Sequence, residues 1–244
     1  MPKAIVFDCD GLLVNSEPAW FTGIVTVFAR HGIDRLVTGP ASSLYGGSVR
    51  DVASLLEREV GAPLEVDQVV REIHAAILAA IAEGVRAMDG AIELLRAVRG
   101  SRPLAVASNG SMETVEAAMG AASIPAVFDA VVALEPPLRP KPAPDLYLRA
   151  CERIGVQPAH AIAVEDSVTG ALSARAAGLT VASVGEAPGL EGVADLVVPD
   201  LLDTRLLGLL ELETLQLSRP AQRQAGPVQP RPAGRGAPSQ VLRP

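Results

Sequence analysis

Two kinds of apolar pattern alternate along this chain. Short, mainly apolar runs occupy residues 4–7, 104–107, 130–133, 161–164, 180–184 and 196–198. They are too short for helices and predict strands buried on both faces. Between them, residues 91–99, 113–120, 143–154 and 168–177 carry apolar positions at helical spacing. Strands alternating with helices imply βαβ units and a parallel sheet covered on both sides. One stretch breaks the rhythm. Residues 17–86 predict helices only, over 19–30, 49–60 and 66–83, the last with Val69, Val70, Ile73, Ile77 and Ile81 on one face. The expected fold is therefore α/β, a Rossmann-like parallel-sheet core with an all-helical insert after the first strand.

Composition agrees with a folded body and sets one segment apart. The 244 residues are 49% apolar and 20% charged, enough to build a substantial core. From Pro220 onward there are six Pro, several Gly and Gln and almost no large apolar side chain, which predicts a disordered tail over 218–244. That tail holds five Arg and no acid, so of the net −7 the remainder carries 16 basic and 28 acidic residues, or −12. An acidic body argues against broad nucleic-acid binding. No apolar run is long enough to span a membrane. Met1-Pro2-Lys3 leads straight into a short apolar stretch, so no secretory leader is expected, and two cysteines make no disulfide framework. A cytoplasmic monomer is the expectation.

In an open parallel sheet, ligands bind beyond the carboxyl ends of the strands. There this chain places Asp8-Cys9-Asp10-Gly11, Ser108-Asn109-Gly110 and Glu165-Asp166-Ser167, with Arg139-Pro140-Lys141-Pro142 leading into a helix. Four carboxylates in one cleft repel one another unless a cation joins them. An oxygen-only set without a His or Cys pattern favours a hard ion, Mg²⁺ foremost. Mg²⁺ beside a Lys and a Ser is equipment for holding a phosphoryl group. Two aspartates one residue apart then suit different tasks, one attacking phosphorus and the other moving protons.

Four ordered motifs, VFDCDGLL, VASNGS, RPKPAPDLY and AVEDSVTGALSARAAG, resemble those of the haloacid dehalogenase superfamily of Mg²⁺-dependent phosphohydrolases. The resemblance covers about residues 3–200 and is greatest to the branch with a helical cap after the first strand. It implies a core of residues 1–15 and 88–212 and a cap of 16–87. It also implies roles. Asp8 resembles the nucleophile that forms an aspartyl-phosphate, and Asp10 the general acid and base. Ser108 matches the phosphoryl-binding hydroxyl, with Asn109 and Gly110 as neighbouring donors, and Lys141 the neutralising lysine. Asp166, Glu165, Asp8 and the Asp10 carbonyl match the Mg²⁺ ligands. Gly46-Gly47-Ser48-Val49-Arg50 resembles the specificity loop, where Arg50 meets the distal part of the substrate.

These residues also have plainer structural readings. Asp before Gly is common in turns, and Ser108, Asn109, Glu165 and Asp166 could serve only as helix starts. Lys141 could sit in a stiff linker of five prolines, and Arg50 could be a solvated surface charge. Cys9 flanked by carboxylates would hold little thiolate, and Gly-x-Gly-x-x-Gly is missing after the first strand. Within the resemblance, Asp10 favours phosphoryl chemistry over dehalogenation. Asn15-Ser16-Glu17-Pro18-Ala19-Trp20 lacks the His of the mutase subgroup. The expected activity is a phosphatase acting on small sugar, polyol or sugar-acid phosphates. A β-phosphoglucomutase-like mutase and a non-catalytic phosphometabolite-binding protein are the alternatives.

Overall fold

The protein is described by a computed structural model over residues 2–33 and 48–212. Gly46, Gly47 and the 218–244 tail lie outside the described residues. The core is a six-stranded parallel sheet of β1 (Ala4–Phe7), β4 (Leu104–Ala107), β5 (Ala130–Val132), β6 (Ala161–Glu165), β7 (Thr180–Val184) and β8 (Leu196–Val198), ordered β5-β4-β1-β6-β7-β8. Strand β1 is central, with Val6 opposite Ala105 on one side and Ala163 on the other.

Alternation along each strand sorts side chains onto two faces. Ile5, Phe7, Leu104, Val106, Ile162 and Val164 share one core with α4 (Ala91–Val98), α5 (Met112–Ala121) and α8 (Thr204–Leu209). Ala4, Val6, Ala105, Ala107, Ala161 and Ala163 share the other with α6 (Asp145–Arg153) and α7 (Val168–Ala177). The second face is built largely of Ala, so α6 and α7 can approach the sheet closely. That closeness brings Tyr147 of α6 to the strand ends.

The insert is all-helical, as its pattern predicts: α1 (Glu17–Arg30), α2 (Val49–Val60) and α3 (Val66–Glu83). Helices α1 and α3 make the main contact. At their crossing a Cβ on Gly23 would lie 2.8 Å from the Ile77 backbone nitrogen, so only a glycine permits this approach. Ser48 and Asp51 form a reciprocal capping box that starts α2. Helix α3 also leans on α5 of the core, where His74 is half-buried near Glu113 and burial lowers its pKa.

The insert joins the core through a ribbon that hydrophobic periodicity does not reveal. Two-residue strands β2 (Val14–Asn15) and β3 (Arg86–Ala87) pair antiparallel, and Met88 donates its N–H to the Leu13 carbonyl. Helix α6 starts two residues later than its pattern suggests, because Pro144 takes the cap position.

Candidate active site

Strand β1 delivers Asp8 with its N–H donated to the Val164 carbonyl of β6, so the ladder itself fixes the nucleophile candidate. The chain then turns back sharply, with the Leu13 and Val14 N–H groups both donating to the Cys9 carbonyl. Gly11 allows this turn. Its φ is +84°, and a Cβ there would overlap the Asp166 carboxylate.

The loop before α6 is held from three sides. Asn109 accepts the Lys141 N–H through Oδ1 at 2.8 Å, and Ser173 of α7 donates to the Ala143 carbonyl at 2.6 Å. Arg139 closes the third side through paired bonds to Asp145. So restrained, the side chain of Lys141 is 5% exposed and its ammonium donates to both Asp8 and Glu165. The Glu165 bond is 2.6 Å long.

Glu165 ends β6 and is fully buried. Its Oε1 accepts from Lys141 Nζ and, at 2.8 Å, from the Tyr147 hydroxyl. Its Oε2 accepts from the Asp166 and Ser167 N–H groups and from Ser167 Oγ. Ser167 also caps α7. Oxygens of Asp8, Glu165 and Asp166 lie within 4.8 Å of one another. At such spacing each pair of like charges costs about 4 kcal/mol at an effective dielectric near 20. Three carboxylates against one ammonium leave an excess of −2, which a divalent cation would balance. The donor set is all oxygen, and the cradle over Gly11 leaves Asp166 room, so a hard cation fits these residues.

The charge balance appears in the protonation equilibria. Burial, with Glu165 and Asp10 adding repulsion, pushes the Asp8 carboxyl up to about 7 despite the opposing pull of Lys141. Asp166 is raised well above the usual range by burial and by Asp8 and Glu165. Burial alone would lower Lys141, but the two carboxylates it touches outweigh that and hold its ammonium charged. Burial and the neighbouring carboxylates push Cys9 well above its ordinary value, so it is a packing thiol.

Asp10 is held apart from this cluster. Its Oδ1 accepts from Ser16 Oγ at 2.6 Å and from the Trp20 indole at 3.3 Å, while Oδ2 accepts from Ser108 Oγ at 3.0 Å. Ser108 is fully buried and in turn accepts the Gly110 N–H at 2.9 Å. The structure thus gathers Asp8, Asp10, Ser108, Asn109, Gly110, Lys141, Glu165 and Asp166 at one edge of the sheet. Arg50 is not brought to this group. Its guanidinium is exposed and bonds Asp67 at 2.6 Å, a pair worth at most about 1 kcal/mol.

Sequence reasoning assigned no role to Ser16, Trp20, Tyr147 or Gly170. A Cβ on Gly170 would collide with the Glu165 carboxylate. The signal for Gly170 and Tyr147 lay inside the motifs, but helical periodicity reads both as packing positions.

A parallel-sheet enzyme with a carboxylate cluster, a buried lysine and a helical insert over the strand ends defines a class of hydrolase. The family model for haloacid dehalogenase-like hydrolases matches residues 2–178, and the chain belongs to that family. It is 33% identical over 206 residues to hexitol phosphatase A of Escherichia coli, covering 82% of this chain and 91% of that one. It is 29% identical over 215 residues to validoxylamine A 7'-phosphate phosphatase of Streptomyces hygroscopicus subsp. limoneus, covering 84% and 97%. Among solved structures, CbbY from Rhodobacter sphaeroides in complex with phosphate is similar with a TM-score of 0.70 at 29% identity, covering 81% of this chain and 93% of that one.

Proposed function

We propose that this protein is a Mg²⁺-dependent phosphomonoesterase for small phosphorylated sugars, polyols or sugar acids. The observation that carries the reading is Lys141 bridging Asp8 and Glu165 with Asp166 within reach, at the ends of adjacent parallel strands. The substrate class follows the phosphatases it is similar to. Asp8 and Asp166 would hold Mg²⁺ through their side chains, with the Asp10 carbonyl. Glu165 contributes at one remove, because its oxygens are occupied by Lys141, Tyr147 and the start of α7. Bound there, Mg²⁺ supplies positive charge to the phosphoryl oxygens.

The protein's own residues then divide the reaction. The substrate phosphoryl sits between Lys141 and the Ser108 hydroxyl. Asp8 attacks phosphorus, the ester P–O bond breaks, and Asp10 gives its proton to the departing alkoxide. Asp10 next takes a proton from water, whose oxygen attacks the aspartyl-phosphate. The bond to Asp8 breaks, inorganic phosphate leaves and the carboxylate is restored. The helical insert above the strand ends shields these steps from bulk water.

The test is release of inorganic phosphate from a panel of sugar and polyol phosphates with Mg²⁺. Asp8→Asn is expected to abolish turnover of every substrate while the protein stays folded. Turnover persisting in that variant would remove Asp8 from the nucleophile's role and the mechanism with it.

A further inference from the structure

Tyr147 is fully buried and is the one aromatic ring at the lysine among the described residues. Its hydroxyl donates to Glu165 Oε1 at 2.8 Å, and the same oxygen receives Lys141 Nζ at 2.6 Å. Its ring centroid lies 5.1 Å from that ammonium. The tyrosine therefore touches both members of the Lys141–Glu165 pair, and its hydroxyl is hydrogen-bonded to Glu165 rather than to Asp8 or Asp166.

This placement has a consequence for how the lysine is shared. Two carboxylates, Asp8 and Glu165, compete for one ammonium. A neutral phenol can only donate to a carboxylate, and each donor that Glu165 gains lessens its hold on Lys141. Held by four further donors besides the lysine, Glu165 leaves more of the ammonium's charge for Asp8. The ring face bounds the ammonium on one side and limits its travel toward α6.

We propose that Tyr147 is a positioning residue that apportions Lys141 between Glu165 and Asp8, and so sets both the nucleophile's charge balance and the site's grip on a divalent cation. This inference rests on the phosphatase reading for its effect on turnover, but its effect on cation binding stands apart from turnover. Without the hydroxyl, Glu165 draws Lys141 toward itself. Asp8 then loses neutralisation, which slows phosphoryl transfer and makes the Asp8–Asp166 pair a stronger cation trap.

Tyr147→Phe in the full chain tests this. Turnover number is expected to fall about tenfold with KM changed less than twofold. Calorimetry with MgCl₂ alone is expected to show binding about three- to fivefold tighter than in the unsubstituted protein. In a Glu165→Gln background, where no second carboxylate competes for the lysine, Tyr147→Phe is expected to add no further change in Mg²⁺ binding. A merely structural tyrosine would loosen the site, so Mg²⁺ binding that weakens or stays the same in Tyr147→Phe overturns the proposal. If the unsubstituted protein releases no phosphate from any substrate, the phosphatase reading fails, while the calorimetric comparison still decides the role of Tyr147.

Discussion

Glu165 shows how much of this site depends on residues with no chemistry of their own. Its carboxylate is buried without solvent and stays there because donors surround it. An unpaired buried carboxylate would cost several kcal/mol, so each donor matters. Gly170, in the first turn of α7, is the residue that leaves the space. Gly170→Ala is expected to push the Glu165 carboxylate out of place and release Lys141, cutting turnover by about 100-fold or more with a stability loss of about 1–3 kcal/mol. Phosphate-release kinetics beside thermal denaturation checks both. Unchanged turnover would mean that the carboxylate adapts without consequence. At this scale the charged residues were legible because Asp8, Lys141, Glu165 and Asp166 follow apolar runs or rigid proline-flanked loops, where side chains converge. Tyr147 and Gly170 were not, since an aromatic and a glycine on helices look like packing whether or not they touch a catalytic group.

Among the elements, long periodic segments were readable and short ones were not. Helices α2 and α3 span the very residues their apolar spacing marks, Val49–Val60 and Val66–Glu83. Strands β2 and β3 hold two residues each, too few to establish any period. Helix α8 is hidden differently: Leu201 through Leu212 is so rich in leucine, and so interrupted by Gly208, that no single face stands out. The α1–α3 crossing depends on a contact that periodicity cannot show. Any side chain at Gly23 must displace Ile77 backbone, which a helix cannot yield cheaply. Gly23→Ala is expected to destabilise the protein by about 1–3 kcal/mol even though alanine favours helix, and denaturant unfolding measures this. A stabilised variant would show that α1 and α3 have room to move apart.

Viewed whole, the molecule draws its site from residues 8 to 170, across the ends of β1, β4 and β6 and the loop before α6. The parallel order β4-β1-β6 makes this possible, because it sets three carboxyl-terminal strand ends side by side. That arrangement followed from the strand–helix rhythm and from the motifs. The closing ribbon and the way the insert reaches Asp10 did not, since both depend on distances between residues brought together only by folding. Among the described residues, the insert supplies two of the three groups that bond the Asp10 side chain, Ser16 and Trp20, so the insert's position and Asp10 are linked by hydrogen bonds.

Trp20 is also the sole tryptophan in the chain. Its indole N–H spans the junction between the helical insert and the Asp10 turn, 3.3 Å from the carboxylate. The protein therefore carries a built-in fluorophore at the junction of insert and core, uncontaminated by other indole emission. If the insert closes over a bound ligand, saturating Mg²⁺ with orthovanadate is expected to shift its emission spectrum, and stopped-flow traces would then time that closure. A spectrum indifferent to both additions would mean that the indole and its carboxylate partner keep the same relation throughout the cycle.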